Sequence, residues 1–200
     1  MIKVIDYGLG NILAFRNVYE RLGMSIGLAR SCGDLAGASR LILPGVGAFD
    51  HAMERLNSSG MRPAIENLVL GHGIPVLGVC VGMQILAEGS EEGSQPGLGW
   101  IPGHVKRFAG NRLALPHMGW NDVAPSRPGG LFAGLERDAR FYFLHSYYFE
   151  CRDAADSLAV ADYGGDFTCA VGRGRILGAQ FHPEKSHRWG VQLLQNFAVC

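Results

Sequence analysis

Charge of one sign is what this chain most clearly lacks. Lys and Arg total 18 and Asp and Glu total 18, for a formal net charge of zero. Without a basic excess there is no electrostatic footprint for nucleic acid or an anionic membrane, so partners are expected through shape and local chemistry. Cysteines are few: Cys32, Cys80, Cys151, Cys169 and Cys200 are an odd-numbered set with no Cys-x-x-Cys spacing. That argues against a disulfide framework or a zinc knuckle and fits a reducing, cytoplasmic setting. No stretch approaches the ~18 to 20 apolar residues of a membrane span. The opening Met1-Ile2-Lys3-Val4-Ile5-Asp6 is too short an apolar run for a signal peptide. Repeats, low-complexity tracts and a convincing linker are absent as well. A chain of 200 residues can bury a sizeable core, and one domain over residues 1–200 is the simplest organisation.

What is present centres on Gly73 to Ala87. Pro75, Val76, Leu77 and Val79 form a short apolar run without alternation, as expected of a central parallel strand covered on both faces. Cys80 ends the run, with Gly78 and Gly82 two residues away on either side, so the spacing predicts a tight turn. Val81 to Ala87 carries helix formers, which places the thiol at a helix N-terminus, where a thiolate is favoured. Strand, sharp turn and helix around a nucleophile resemble a nucleophile elbow. An inert core cysteine in a glycine-rich chain fits the same pattern.

Before this stretch, Ile2, Val4 and Ile5 predict a strand, followed by the Asp6-Tyr7-Gly8-Leu9-Gly10-Asn11 loop. The loop is a poor dinucleotide fingerprint, because Leu13 stands where the third glycine belongs. Asn11 is placed to cap a helix with Ile12, Phe15, Tyr19 and Leu22 on one face and Gly23 as its stop. Strands are expected at Met24 to Ala29 and at Leu41 to Leu43, the latter entering Pro44-Gly45-Val46-Gly47. Helices are expected from Ala48 to Leu56 and from Arg62 to Leu70. Alternating strands and helices predict a parallel sheet with helices on both faces and catalytic groups at the strands' carboxyl ends.

After a glycine-rich, acidic segment from Glu88 to Gly99, strand signals dominate: Val105 to Phe108, Arg112 to Leu115, Phe141 to Leu144, Tyr147 to Phe149, Leu158 to Ala161, Thr168 to Val171 and Ile176 to Phe181. Turn residues such as Asn111 separate them, and a last helix capped by Ser186 carries Trp189, Leu193, Leu194 and Phe197 on one side.

A cysteine nucleophile needs a base and a group to orient that base. Of the seven histidines, His51, His72, His104 and His187 fall on predicted helices or in turns, while His117, His145 and His182 follow apolar segments. His182 ends the run from Ile176 and precedes Pro183-Glu184, so a carboxylate lies two residues away and proline restricts how His182 leaves the strand. His145 also ends a strand and is the rival base, but no carboxylate follows closely. A zinc site from Cys80, His145 and His182 has no paired ligand spacing behind it.

Pro44-Gly45-Val46-Gly47, Gly78-Val79-Cys80-Val81-Gly82-Met83-Gln84 and His182-Pro183-Glu184-Lys185-Ser186, in this order, resemble the class I glutamine amidotransferase family. Asp6 to Asn11, Pro116-His117-Met118-Gly119-Trp120-Asn121 and Phe143-Leu144-His145-Ser146-Tyr147 narrow the resemblance to glutaminase subunits of imidazole glycerol phosphate synthases, over essentially the whole chain. The resemblance implies a flavodoxin-like α/β fold: a mixed, mostly parallel central sheet, flanking helices and an antiparallel β-rich second half. It implies a Cys80-His182-Glu184 triad, an oxyanion hole from the main chain at Val46 and Val81, and glutamine held by Gln84, Glu92, Ser146 and Tyr147. It further implies a (β/α)₈ cyclase partner that receives ammonia, met through Asn11, Met118, Trp120 and Lys185, and no metal or organic cofactor. Val81 is a mild departure from the commoner Leu.

Three other functions share parts of this pattern. A paralogous glutaminase would feed ammonia to a synthase amidating surface-polysaccharide sugars. A catalytically silent regulatory module would have lost triad members, and all three are present. An α/β-hydrolase-like esterase would place its acid before the histidine, whereas Glu184 follows it.

Overall fold

The structure, a computed structural model, describes residues 1–109 and 113–200. The first half runs β1 (Ile2–Ile5), α1 (Ile12–Arg21), β2 (Ile26–Ala29), β3 (Arg40–Gly45), α2 (Phe49–Ser58), α3 (Arg62–Glu66), β4 (Val76–Cys80) and α4 (Val81–Gln84). The second adds β5 (Gly89–Ser90), β6 (Gly103–Arg107), β7 (His117–Asp122), β8 (Ala124–Pro125), β9 (Arg140–His145), β10 (Tyr147–Cys151), β11 (Ser157–Asp162), β12 (Asp166–Arg173), β13 (Ile176–Ala179) and α5 (His187–Val199).

Among the described residues the main sheet has eight strands in the order β2-β1-β3-β4-β13-β12-β11-β8. Pairing from β2 through β13 is parallel, and β12, β11 and β8 continue it antiparallel. β10, β6 and β5 form a second sheet, and β7 pairs with β9 in a two-stranded ribbon. The path from β1 to β2 moves one way along the sheet and that from β3 to β4 the other, so right-handed crossovers put α1 and the α2–α3 pair on opposite faces. With both faces covered, the central strands are apolar throughout: all five residues of β4 are buried, as are Leu41, Ile42 and Leu43 of β3. A mixed α/β fold with a mostly parallel sheet is therefore observed, as expected.

Several local expectations change. The helix after Cys80 lasts a single turn, to Gln84, rather than to Ala87. The amides of Leu86 and Ala87 turn to the Met83 and Gln84 carbonyls three residues back (3.1 and 3.0 Å), which ends the α pattern, and the carbonyls of Ile85, Leu86 and Ala87 accept from the amides of Leu98 (2.8 Å), Ile101 (3.1 Å) and Gly99 (2.9 Å). β7 had no strand signal because its inward-turned positions are His117, Gly119 and Asn121, not apolar residues. Neither Asn11 nor Ser186 makes a side-chain cap bond, although each stands at a helix start. α3 stops at Glu66 and a π turn carries the chain to Gly71. His104 lies in β6 rather than on a helix or turn. The expected strand from Arg112 begins outside the described residues, as does Asn111, and 113–115 is irregular.

Candidate active site

The nucleophile position is built by strain and close packing. Cys80 ends β4 beside Gly45 of β3 and adopts φ 56°, ψ −116°, a sparsely populated conformation for a side chain bearing a Cβ. Its glycine neighbours, neither of which has positive φ, supply room. A Cβ on Gly82 would overlap the Leu43 carbonyl, one on Gly78 the Gly82 backbone, and one on Gly45 the Gly82 amide. The single turn of α4 thus lies directly on β3 and β4, and Cys80 stands at its start, buried at 4% exposure.

His182 follows β13 in extended backbone (φ −101°, ψ 93°), and Pro183 opens the short 3-10 turn that returns Glu184 to it. His182 Nδ1 lies 3.0 Å from Glu184 Oε1, with side chains 4% and 2% exposed. Burial works against a charge on this ring, but Cys80 and the Glu184 carboxylate beside it outweigh that and push its pKa up to about 9. Among the described residues Glu184 Oε2 is buried without a partner, so the imidazole is the one group its carboxylate engages there.

A cavity of about 290 Å³ opens over Cys80 and is lined by Val46, Val81, Gln84, Glu92, Ser146, Tyr147, His182 and Lys185, all anticipated, together with Gly47, Pro116, Leu144 and His145. Glu184 lies behind His182 and does not line it, and Asn11, Met118 and Trp120 stand outside it. Gln84 is buried, with its Nε2 donating to the Tyr147 carbonyl (3.2 Å) and to Gln180 Oε1 (2.9 Å). Glu92 reaches the cavity wall while accepting from the Phe49 amide at 2.8 Å, which fastens the start of α2. A second cavity of about 250 Å³, floored by Leu131, Leu158 and Leu177, contains Cys200 but no histidine. It therefore offers no nucleophile and base together.

The rival base is placed but occupied. His145 Nδ1 lies 2.7 Å from the Tyr147 carbonyl and its Nε2 3.0 Å from His117 Nδ1, so neither nitrogen is free for Cys80. Burial pushes His145 down to about 3 and His117 to about 4. Among the described residues no three His, Cys, Asp or Glu side chains form a group able to hold a metal ion, Cys80, His145 and His182 included.

Two neighbours of the site have no role assigned from the sequence. Tyr7 is buried, donates to the Pro44 carbonyl at 2.6 Å and so holds the Pro44–Gly47 loop. Burial raises its phenol pKa, with the nearby Cys80 adding to the effect. Gln180 sits within an apolar strand run, and its Nε2 points at Cys80 Sγ from 3.8 Å.

A model of the family Glutamine amidotransferase class-I matches residues 6–200. The chain belongs to the class-I glutamine amidotransferases. This glutamine amidotransferase is 59% identical, over 99% of each chain, to the imidazole glycerol phosphate synthase subunit HisH of Bdellovibrio bacteriovorus. It is 52% identical, with the same coverage, to the subunit of that name from Leptospira borgpetersenii. Its fold matches a solved glutamine amidotransferase with TM-score 0.73 at 22% identity, covering 97% of this chain and 98% of the other. It also matches the structure of PurLQS from Thermotoga maritima with TM-score 0.74 at 16% identity, covering 99% and 97%.

Proposed function

We propose that this chain is the glutaminase subunit of an imidazole glycerol phosphate synthase in histidine biosynthesis. The observation that carries the reading is full-length identity of 59% to a subunit so named. The His182–Glu184 pair beside a strained Cys80 supports the chemistry.

The Cys80 thiolate attacks the side-chain amide carbon of glutamine. Main-chain N–H groups at Val46 and Val81 stabilise the oxyanion, each worth roughly 3 to 4 kcal/mol of barrier. Protonated His182 gives its proton to the nitrogen as the C–N bond breaks, releasing ammonia and leaving a γ-glutamyl thioester. His182, with its ring oriented by Glu184, then takes a proton from water as its oxygen attacks the thioester; the C–S bond breaks, glutamate leaves and the Cys80 thiolate and His182 imidazolium are restored. Gln84, Glu92, Ser146 and Tyr147 hold glutamine from the cavity walls.

Ammonia passes to a (β/α)₈ cyclase partner in a heterodimer working in the cytoplasm, and residues 1–200 act as one domain. The proposed contact surface includes Asn11, Met118, Trp120 and Lys185. Met118 is 66% and Trp120 39% exposed, large apolar surface of the kind that anchors interfaces. Met118 pairs with Leu144, a residue of the cavity wall, so this surface adjoins the site.

The test measures glutamate release by the chain alone, with a cyclase subunit, and with that subunit carrying its acceptor. Activation of at least 100-fold in the last tube is expected, which requires only about 2.7 kcal/mol of differential binding. Activation by a sugar-amidating synthase alone would transfer the chain to the paralogous function.

A further inference from the structure

We propose that His117 and His145 form a positioning dyad that anchors the Tyr147 peptide in the wall facing Cys80; this rests on the glutaminase reading above. The two rings lie 4% and 5% exposed, at the paired positions His117 and His145 of β7 and β9.

The direction of every bond follows from one fixed acceptor. The Tyr147 carbonyl can only accept, so His145 Nδ1 carries the hydrogen. The neutral ring then has a bare Nε2, which must accept from His117 Nδ1 at 3.0 Å. His117 Nε2 in turn accepts from the Asn121 amide at 3.3 Å, and that same Nδ2 donates to the Asp162 carbonyl at 2.8 Å. At the other end the Tyr147 carbonyl takes a second donor, Gln84 Nε2, which also donates to Gln180 Oε1. Gln180 is left with its NH₂ group toward Cys80 Sγ. A flip of any member sets donor against donor or acceptor against acceptor, so the line from Asn121 to the thiol has one orientation.

The rings are also held mechanically. His117 lies between Phe143 (centroids 4.8 Å, planes 25° apart) and Tyr163 (4.0 Å, 24°). A ring clamped on both faces cannot turn to offer its other nitrogen without displacing its neighbours. The dyad touches no reacting atom. It fixes the Tyr147 peptide and, through Gln84 and Gln180, the donor directed at the nucleophile.

The experiment uses the full chain assembled with its cyclase subunit. Nitrogen-15 NMR of labelled histidine is expected to find both rings neutral and protonated on Nδ1 at pH 7.5, a readout independent of activity; protonation on Nε2 in either ring would overturn the dyad. His117→Phe keeps the stacking and removes the bonds, whereas His117→Asn keeps a donor near Nδ1. His117→Phe should lower kcat/KM for glutamine by about 10- to 100-fold while His145 stays protonated on Nδ1 against the Tyr147 carbonyl, its Nε2 left without the His117 donor. His117→Asn should recover most of that activity at equal thermal stability. Equal kinetics in wild type and His117→Phe, or equal losses in both variants, would refute the proposal. No glutamate release by the wild-type assembly would refute the glutaminase reading instead.

Discussion

The backbone of His182 is bound to that of Tyr142: its amide donates to the Tyr142 carbonyl at 2.9 Å. Ser186 closes the ring, its Oγ accepting from the Tyr142 amide (3.0 Å) and donating to the His182 carbonyl (2.6 Å). The loop carrying His182 is thereby clamped to β9. Ser186 is fully buried, so water cannot replace these bonds. Ser186→Ala is expected to cost about 1–3 kcal/mol in urea unfolding and to slow glutamine turnover. Unchanged stability would mean the clamp does not bear on the fold.

Cys80→Ala should abolish glutamine hydrolysis while ammonia-driven synthesis by the assembled complex continues, because the two half-reactions use different sites. Cys80→Gly should be equally inactive but more stable than Cys80→Ala. Relief of strain at φ 56° is worth roughly 1–3 kcal/mol and exceeds the ~0.5–1 kcal/mol entropic cost of glycine. Thermal unfolding of both variants decides the order.

The His182 ring should titrate near pH 9 in the folded chain. Its folded pKa lies above the ordinary value of 6.5, so protonation stabilises the native state. That contribution is full below about pH 6.5 and is lost as pH rises through about 9. Glu184→Gln removes a charge that favours the imidazolium, so its NMR midpoint should fall and the alkaline loss of stability should start earlier. An unchanged midpoint would detach Glu184 from the ring.

Gly82→Ala and Gly47→Ala separate two uses of glycine. A Cβ at 82 meets the Leu43 backbone, which cannot move without parting β3 from α4, so a loss of about 3 kcal/mol or more is expected. At 47 the space is open but φ is +90°, so stability should fall by only about 1 kcal/mol while glutaminase activity falls much further, because Val46 is repositioned. Denaturant midpoints and glutamate release measured together test both.

The sequence by itself determined the parallel core, since continuous apolar runs at Leu41–Leu43 and Val76–Val79 suit only strands covered on both faces. It also set the pairing of His182 with Glu184, because His182, Pro183 and Glu184 are neighbours and their geometry is local. Tertiary structure alone decided which of His182 and His145 keeps a ring nitrogen to spare. Both end strands in the sequence, and only folding spends both nitrogens of His145 on Tyr147 and His117. It decided the path after α4 as well, through carbonyls claimed by residues a dozen or more positions later. Gln180 and Tyr7 were illegible for the same reason. Their partners, Gln84 with Cys80 and Pro44, are distant in the chain, and no local pattern encodes a bond that exists only once the sheet has brought its strand ends together.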